Sequence, residues 1–577
     1  MLYCAARQTT VREAGHAGEQ MPFPVLVIVS IGIAAITMAA VLSLSRRPLL
    51  ATGAGLVGAM ALLIFHGFYF DHYSDDAYIT LRYSRHLADG LGPNWNSTGR
   101  VEGFTTFAWM GVLAGTAKLG ADLVDASRAL AFLSLAATFG LVVLIWRLWS
   151  SDEPSIGIGS PVLPAAVLLG LALTDGVAFW GFSGMETPLF MALITGSALL
   201  YFRERRGAGL PWSAVAVSAV AMTRPEGMIV AAVTGGFVLA DAASRLRSGD
   251  AAERRAAALR ALSWGTVFLA LFGSYFIWRY TYYDYLFPNT YYAKVETSRR
   301  VMTLGLSYVA LNGVRYQLLA MFGGALVLLA APRIRRDVAY VIVLSAAMLT
   351  GVALEGGDAF AYGRFIVPIV PLLFLAGLSG FAMLVKRVEL APQHSTAVVS
   401  IVLLLSALLL ISTSFNPNQD RARQAQADRQ AIGEWMNEYT PEHYTIAAFA
   451  IGAVAYYAND RDVLDLLGIN DVVIAHTDVP DFGDGIPAHE RFNIDYVLDV
   501  VRPEIIIPLD AQARPRTTAE LRASFTGESP VAARGALFTD PRLWEQYEAR
   551  SLELDGRWFN FLQRKELVGE LQAPGLR

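Results

Sequence analysis

The fold is decided by the segment Phe70-Asp71-His72-Tyr73-Ser74-Asp75-Asp76-Ala77-Tyr78, which directly follows the apolar run Leu49–Phe70. A run of about 20 apolar residues suits a helix that crosses a membrane. Charged groups at a membrane boundary are costly unless they are solvated or used, so the pair Asp75-Asp76 is a candidate site. One carboxylate can activate a hydroxyl while the other holds a cation or accepts a hydrogen bond. Alternatively, the two acids only cap the helix that begins at Ala77.

The composition of the whole chain also indicates a membrane protein. Of the 577 residues, 54% are apolar and 17% are charged, whereas soluble domains average about 25% charged residues. The net charge of -4 gives no indication of a nucleic-acid partner. The only cysteine is Cys4, so a disulfide within the chain is excluded and an extracytoplasmic domain would need its own core. The run Val25–Leu44 is too long for a signal peptide and predicts a retained span.

Apolar runs predict a multi-spanning α-helical domain over residues 1–414, with about 11 to 12 spans. The predicted spans are Pro24–Leu44, Leu49–Phe70, Ala126–Trp146, Pro161–Trp180, Met185–Phe202, Met228–Ala243, Ala261–Tyr280, Tyr316–Ala331, Val338–Leu354, Phe365–Val385 and Ala397–Ser412, with Pro211–Thr223 as a short or broken one. We expect Phe104–Gly120 to lie in the interface or to re-enter.

Basic clusters between these runs indicate the orientation, because such clusters favour the cytoplasm. They are Arg46-Arg47, Arg203–Arg206, Arg245–Arg260, Arg333–Arg336 and Lys386-Arg387. The remaining loops, including the first outer loop 71–103, then face outward in the plasma membrane. Residues 415–577 face outward too. There the charge density rises and short strand-like runs, Thr445–Ile451 and Glu504–Pro508, alternate with helical ones, which predicts a separately folded extracytoplasmic α/β domain.

Further motifs follow the acidic pair in a defined order. They are Arg82-Tyr83, Gly90-Leu91-Gly92, Val101–Thr105, Gly184-Met185-Glu186, Thr223–Gly227, Pro288–Lys294, Gly356-Gly357-Asp358, Arg364–Pro368 and Asp465–Asp471. In this order and spacing the chain resembles the GT-C class of membrane glycosyltransferases, in particular the mycobacterial terminal β-(1→2) arabinofuranosyltransferases. The resemblance implies a GT-C-like membrane domain.

The resemblance also implies roles for individual residues. It suggests Asp75 and Asp76 as catalytic residues, with Asp75 facing the substrate, and it makes either one a ligand of a divalent cation if a metal is present. Donor binding is implied for Arg364, Lys294, Arg224, Asp358 and His72. Acceptor binding or support is implied for Glu102, Glu186, Glu226, Asn289, Tyr292, Asp465 and Asp471.

The residues themselves leave alternatives open. A fixed Arg or Lys at an outer loop can hold a phosphate as it leaves, but Lys294 and Arg364 could instead contact lipid headgroups. Glu186 could cap a helix, and Asp465 and Asp471 could belong to an ordinary turn. No Ser, His or Cys pattern suggests a hydrolytic triad.

The resemblance implies decaprenyl-phosphoryl-arabinofuranose as donor and the arabinan termini of arabinogalactan and lipoarabinomannan as acceptor. Donor and product linkages are then both β, which means retention. Double displacement with an Asp nucleophile and front-face attack both remain open. Other hypotheses are the same chemistry with a mannosyl or aminoarabinosyl donor, or a transporter of lipid-linked sugars, a class in which inverted repeats and broken helices are usual.

Overall fold

The computed structural model describes residues 21–154, 160–207, 209–248, 250–294, 298–387, 419–480, 482, 489–508, 510–525 and 531–577. Cys4, the predicted span Ala397–Ser412 and the predicted domain boundary at residue 414 lie outside these residues.

The membrane part is helical, with short irregular connections between the helices. Its helices are α1 Phe23–Ser43, α2 Pro48–Phe70, α3 Asp75–Ala88, α4 Phe107–Lys118, α5 Leu123–Asp152, α6 Val162–Leu173, α7 Asp175–Gly181, α8 Thr187–Glu204, α9 Trp212–Thr223, α10 Gly227–Ser248, α11 Ala251–Phe268, α12 Ser274–Tyr283, α13 Asn289–Lys294, α14 Arg299–Arg315, α15 Leu318–Leu328, α16 Arg335–Leu354 and α17 Val370–Arg387. A π-helical turn, Leu269–Gly273, joins α11 to α12, and the 3₁₀ turn Val367–Ile369 precedes α17.

Among the described residues, seven helices are long and apolar enough to cross a membrane, or up to nine if two bent pairs each count as one span. The bent pairs are α6 with α7, at 64°, and α14 with α15, at 74°. The predicted spans Met185–Phe202 and Pro211–Thr223 form α8 and α9, which are not among the seven. Helix α4 has only 12 residues, which agrees with the expectation that Phe104–Gly120 does not span.

The C-terminal part contains one mixed five-stranded sheet. Its elements are α18 Gln419–Tyr439, β1 Thr445–Ala448, α19 Gly452–Tyr457, β2 Asp462–Asp465, α20 Val472–Ala475, β3 Ile505–Ile507, α21 Thr518–Ala523, α22 Ala532–Thr539, α23 Pro541–Gln546, β4 Tyr547–Leu554 and β5 Arg557–Arg564. The strand order is β2-β1-β3-β5-β4. Strand β1 is parallel to β2 and β3, whereas β5 is antiparallel to β3 and β4. The two predicted strands therefore appear as β1 and β3.

The prediction that this domain relies on its own core is wrong for one face of the sheet. Ile446 and Ile505, on β1 and β3, belong to a buried cluster that also contains Tyr83 and Trp95 from the first outer loop and Phe104 directly after it. The opposite face has a core formed by the C-terminal part alone, around Ala447 and Ile506. Because neighbouring strand residues point to opposite faces, β1 and β3 contribute to both cores.

Two side chains of helix α3 contact the two ends of the short helix α19 in the C-terminal part. At its first turn, the Asp75 carboxylate accepts hydrogen bonds from the backbone N–H groups of Gly452 and Ala453, at 3.1 and 3.0 Å. In the last turn of α19, the Ala455 carbonyl accepts a hydrogen bond from the buried Arg82 guanidinium of α3. An anion at the start and a cation at the end of a helix suit its dipole. Any side chain at Gly452 would meet the Asp75 backbone oxygen at 1.9 Å, so glycine is required for this contact.

Candidate active site

The two acidic residues at the start of α3 have different surroundings. Besides its two N–H donors, the Asp75 carboxylate lies 3.7 Å from the Arg429 guanidinium. The Asp76 carboxylate lies on the other side, 3.7 Å from Nη1 of Arg364, with 33% of its side chain exposed. As predicted, the two side chains diverge. Asp76, rather than Asp75, lies beside the predicted donor-binding residue Arg364. Both carboxylate oxygens of Asp75 instead accept hydrogen bonds from the start of α19.

Arg364 is anchored in a loop just before α17. Its Nε and Nη2 donate to the two oxygens of Asp358 at 2.9 and 3.2 Å, a two-point contact that fixes the guanidinium plane. The guanidinium carbon of Arg364, Cζ, also lies 4.9 Å from the centre of the Phe360 ring. Gly357, with φ of +78°, allows this loop to turn against Tyr308. Nη1 is left as the edge of Arg364 that faces Asp76.

Arg224 lies at the end of α9 and is held by two buried carboxylates. Nε and Nη2 donate to Glu226 at 3.2 and 2.8 Å, and Nη1 donates to Glu186. All three side chains are at most 9% exposed. Three residues that the sequence suggested separately therefore form one buried triad, and its two carboxylates offset the charge of Arg224.

Lys294 completes the cation cluster, which we define as Arg224, Lys294 and Arg364. Burial among protein groups lowers the pKa of the Lys294 ammonium, as do Arg364 and Arg224, whereas Asp76 and Asp358 raise it. The residue keeps an exposed surface, and within the described residues it has no ion pair closer than 4 Å. Of the three cations in the cluster, Lys294 is thus the one whose charge is least offset by acidic side chains of the described residues.

One residue of this region, Glu355, was not predicted from the sequence. It follows α16 directly, and burial among protein groups together with the nearby Glu226 raises its pKa to about 7, although Arg224 lowers it. The side chain keeps an exposed surface. A carboxyl group that titrates near neutral pH can exchange a proton with a hydroxyl. In the sequence, Glu355 could have been recognised as a candidate by its position directly before Gly356-Gly357-Asp358.

His72 and Glu102 lie outside the cation cluster. The His72 ring stacks on Phe179 at 4.2 Å, and burial, followed by Arg423 and Arg128, lowers its pKa to about 4. Glu102 is buried and lies 2.7 Å from Nε of Arg279. Donor binding by His72 stays a prediction: the ring lies near Arg423 and Arg128 rather than in the cation cluster, and its Nε2 has no hydrogen-bond partner within the described residues.

The other predicted support residues connect the outer loops to the C-terminal part. The Asn289 amide donates to the carbonyls of Gly468 and Ile469 at 2.8 and 3.0 Å. Asp465 accepts from the backbone N–H groups of Leu467 and Asn470. The Asn289 amide nitrogen and the Asp465 carboxylate are thus bonded to backbone groups, which is typical of a positioning role.

Asp471 and Tyr292 also have local partners. Asp471 caps α20 by accepting from the Ile474 N–H at 2.9 Å. The Tyr292 ring lies 4.3 Å from that of His476. The Tyr292–His476 contact holds α13, which ends at Lys294, against the C-terminal part.

The expected divalent cation has no evident ligand set. Among the described residues, no three His, Cys, Asp or Glu side chains are grouped so as to hold a metal ion. Asp75 already accepts two N–H groups, and Asp76 neighbours Arg364. Metal binding therefore remains a prediction, and no step of the proposed reaction uses it.

We expect Glu102 to make folding stability depend on pH. Burial raises its pKa from 4.5 to about 7, more than Arg279 lowers it. The folded state therefore binds the proton more tightly than the unfolded chain, and this contribution is full below about pH 4.5 and is lost as the pH rises through 7. Thermal unfolding between pH 5 and 8.5 should show wild-type stability falling with pH, and Glu102→Gln should reduce that slope. Asp478→Asn, at an exposed carboxylate, is the control, and equal slopes for all three proteins would contradict the assignment.

Comparisons with known proteins agree with this architecture. Over 248 residues, which are 41% of this chain and 37% of the relative, the sequence is 29% identical to the terminal β-(1→2)-arabinofuranosyltransferase of Mycobacterium tuberculosis. The match thus spans little more than a third of that relative's length. Residues 417–559 match a domain of unknown function, DUF8728.

Two solved structures share the fold. ArnT from Cupriavidus metallidurans bound to undecaprenyl phosphate superposes with a TM-score of 0.51 and 13% identity, covering 94% of this chain and 98% of ArnT. The same protein in the apo state gives a TM-score of 0.50 and 14% identity, over 89% and 98%. The chain therefore has an ArnT-like GT-C fold with a C-terminal domain that contains a sheet, and it resembles a terminal arabinofuranosyltransferase in sequence.

Proposed function

We propose that the protein is a glycosyltransferase that moves a sugar from a polyprenyl phosphate to a glycan on the extracytoplasmic side of the plasma membrane. The observation that supports this most directly is the meeting of Asp76, Arg364 and Lys294, from three separate segments, at one end of the membrane helices. In addition, the similarly folded ArnT has been crystallised with undecaprenyl phosphate. A polyprenyl phosphate would place its headgroup at such a membrane boundary.

The cation cluster suits a phosphate that gains negative charge as the sugar leaves it. Lys294 offers a largely uncommitted ammonium, and Arg364 offers Nη1 while Asp358 holds the rest of its guanidinium. Fixed cations of this kind stabilise developing charge without reorganisation. Arg224 acts as a positioning residue, because Glu186 and Glu226 already occupy its donors.

Asp76 is the carboxylate beside these cations with an accessible surface. We assign it to the reacting sugar, either as a nucleophile in a double displacement or as a group that stabilises positive charge during front-face attack. Glu355, an exposed residue directly after α16 and near Arg224 and Glu226, is assigned to receive the proton of the acceptor hydroxyl, and its raised pKa suits proton uptake near neutral pH.

The sequence relative supports one specific sugar. We propose arabinofuranose, donated by decaprenyl-phosphoryl-arabinofuranose and transferred to the arabinan termini of arabinogalactan or lipoarabinomannan. The support is the name and identity of the mycobacterial relative. Mannosyl and aminoarabinosyl donors remain the competing hypotheses for the same chemistry.

The transporter hypothesis is favoured by one observation, the two bent helix pairs. Broken helices occur at the binding sites of many transporters. Here, however, Asp175 at one bend and Arg315 at the other form a direct ion pair, so each charge already has a partner. We therefore regard these bends as structural and expect no transport without sugar transfer.

The decisive experiment incubates the purified full chain in nanodiscs with polyprenyl-phosphoryl-arabinofuranose and a short arabinan acceptor. We expect a product that is longer by one arabinose, joined through a β-(1→2) linkage as determined by linkage analysis. The mannosyl and aminoarabinosyl donors are run in parallel, and Asp76→Asn serves as the inactive control.

The results separate the competing hypotheses. Elongation with another donor alone would keep the enzyme class and overturn the sugar. Movement of the labelled donor across liposome membranes, with no elongated product from any donor, would overturn the transferase assignment in favour of transport.

A further inference from the structure

A groove lies between α10 and α16, towards the ends of these helices that are far from the cation cluster. Its volume is about 660 Å³, within the range of about 300–1,000 Å³ typical of ligand sites. Ala232, Gly236 and Ala240 line it from α10, and Ala339 and Val343 line it from α16. These small and apolar side chains create space for an apolar chain rather than for a polar metabolite.

The groove faces outward from the helix bundle. Behind it, the buried Thr234 hydroxyl and the Tyr340 hydroxyl are hydrogen-bonded at 2.9 Å and join the two helices. Beside it, Leu239 is 63% exposed and Val343 is 45% exposed. Apolar side chains exposed on spanning helices contact lipid, so the groove is accessible from the bilayer.

The charged network near the groove is balanced. Asp337, which is fully buried, pairs with Arg205 and Arg206. Arg336 pairs with Asp241, and Arg206 also pairs with Asp152. Three arginines and three aspartates thus offset one another, so the charge of Arg336 is not available to a ligand.

Arg335, which also lines the groove, has no such partner. Its Nε donates to the Leu329 carbonyl at 2.9 Å, and no acidic side chain in the described part of the chain lies within 4 Å of it. The residue is exposed. An apolar groove with an uncompensated guanidinium at its end matches a ligand that has an apolar chain and an anionic head.

We propose that this groove is a binding site for an anionic glycerophospholipid of the leaflet opposite the candidate active site. One acyl chain lies between α10 and α16, and the phosphate meets Arg335. The planar guanidinium can bind two phosphate oxygens at once. The surrounding basic clusters put this end of the helices at the cytoplasm, where anionic lipids concentrate.

The helices concerned explain why such a lipid would matter. Helix α10 begins directly after Glu226, and α16 ends directly before Glu355. A lipid wedged between their other ends would fix the spacing of two helices that also hold residues of the candidate active site.

The test measures lipids retained by the full-length protein in native mass spectrometry, after exchange into nanodiscs of phosphatidylglycerol and phosphatidylcholine in equal amounts. We expect the wild-type protein to retain phosphatidylglycerol about fivefold over phosphatidylcholine, the effect of one basic residue near a membrane surface. Arg335→Gln should remove the preference. Gly236→Leu should reduce retention of both lipids, since a side chain there meets nothing within 4 Å and would enter the groove.

Matched controls lie on α11. Gly265 is equally open and Arg254 is equally exposed, so Gly265→Leu and Arg254→Gln should behave like the wild type. Equal retention of both lipids by the wild-type protein would overturn the proposal. So would a preference that survives in Arg335→Gln, or retention that Gly236→Leu leaves unchanged, because either result indicates nonspecific lipid at the protein surface.

Discussion

Replacing Asp76 by Asn should reduce the rate of sugar transfer by about 10²–10⁴-fold, the range that a positioned acid–base group contributes, and by more if Asp76 is a nucleophile. The substitution keeps the shape of the side chain and removes its charge. Within the described residues, the Asp76 carboxylate accepts no hydrogen bond from a backbone N–H, and its side chain is 33% exposed, so folding should be little affected. The measurement is turnover at saturating donor together with the thermal unfolding temperature.

Asp75→Asn provides the comparison for this prediction. Its two carboxylate oxygens accept one N–H each from α19, and Asn keeps only one acceptor oxygen, so about one hydrogen bond, roughly 0.5–1.5 kcal/mol of stability, is lost. We therefore expect Asp75→Asn to lower the unfolding temperature and to reduce the rate less than Asp76→Asn does. The reverse order, with Asp75→Asn as the slower enzyme at equal stability, would return the substrate-facing role to Asp75.

The sequence could place Asp75 and Asp76 at a membrane boundary but could not distinguish them. What distinguishes them is the start of α19, which lies 377 residues further along the chain. Helix capping by a neighbour in sequence has a local pattern, whereas capping by a distant segment depends on how the whole chain packs. The sequence therefore could not show that the Asp75 oxygens accept hydrogen bonds from α19, whereas Asp76 lies beside Arg364.

The members of the cation cluster could be predicted one by one, because Arg224, Lys294 and Arg364 are basic residues in loops that the sequence assigns to the outer face. Their pairing was not predictable. Only the folded structure shows that Glu186 and Glu226 pair with Arg224, whereas Lys294 has no ion pair within 4 Å in the part of the chain that the structure describes.

The hairpin of β4 and β5 was missed although the sequence contains its signal. Asp555 and Gly556 separate the two strands and both have positive φ, at 49° and 75°, as a two-residue hairpin turn requires. The alternation of polar and apolar residues in Glu548–Leu554 is interrupted by the charges of an edge strand, which weakened the strand pattern. The Asp-Gly turn was the stronger evidence.

Lys294→Gln should weaken binding of a polyprenyl phosphate by about 10- to 150-fold, because a hydrogen bond to a charged group contributes about 1.5–3 kcal/mol. Arg364→Lys should lose less, since it keeps the charge while giving up the two-point contact with Asp358. Arg364→Ala would be harder to interpret, because removing one partner of a buried pair costs about 3–5 kcal/mol of folding stability. Arg224→Lys is the matched control, and affinity for polyprenyl phosphate should change least in it.

The pH dependence of donor affinity is a more specific test of Lys294 than the loss of affinity in Lys294→Gln. Burial lowers the pKa of its ammonium below the usual 10.5, so affinity should fall as the pH rises through that lowered pKa, before an ordinary lysine would titrate. Arginine stays charged throughout this range. Lys294→Arg should therefore bind the donor at neutral pH and keep its affinity at alkaline pH. If the alkaline loss persists in Lys294→Arg, another group controls it, and Lys294 is not the cation that holds the phosphate.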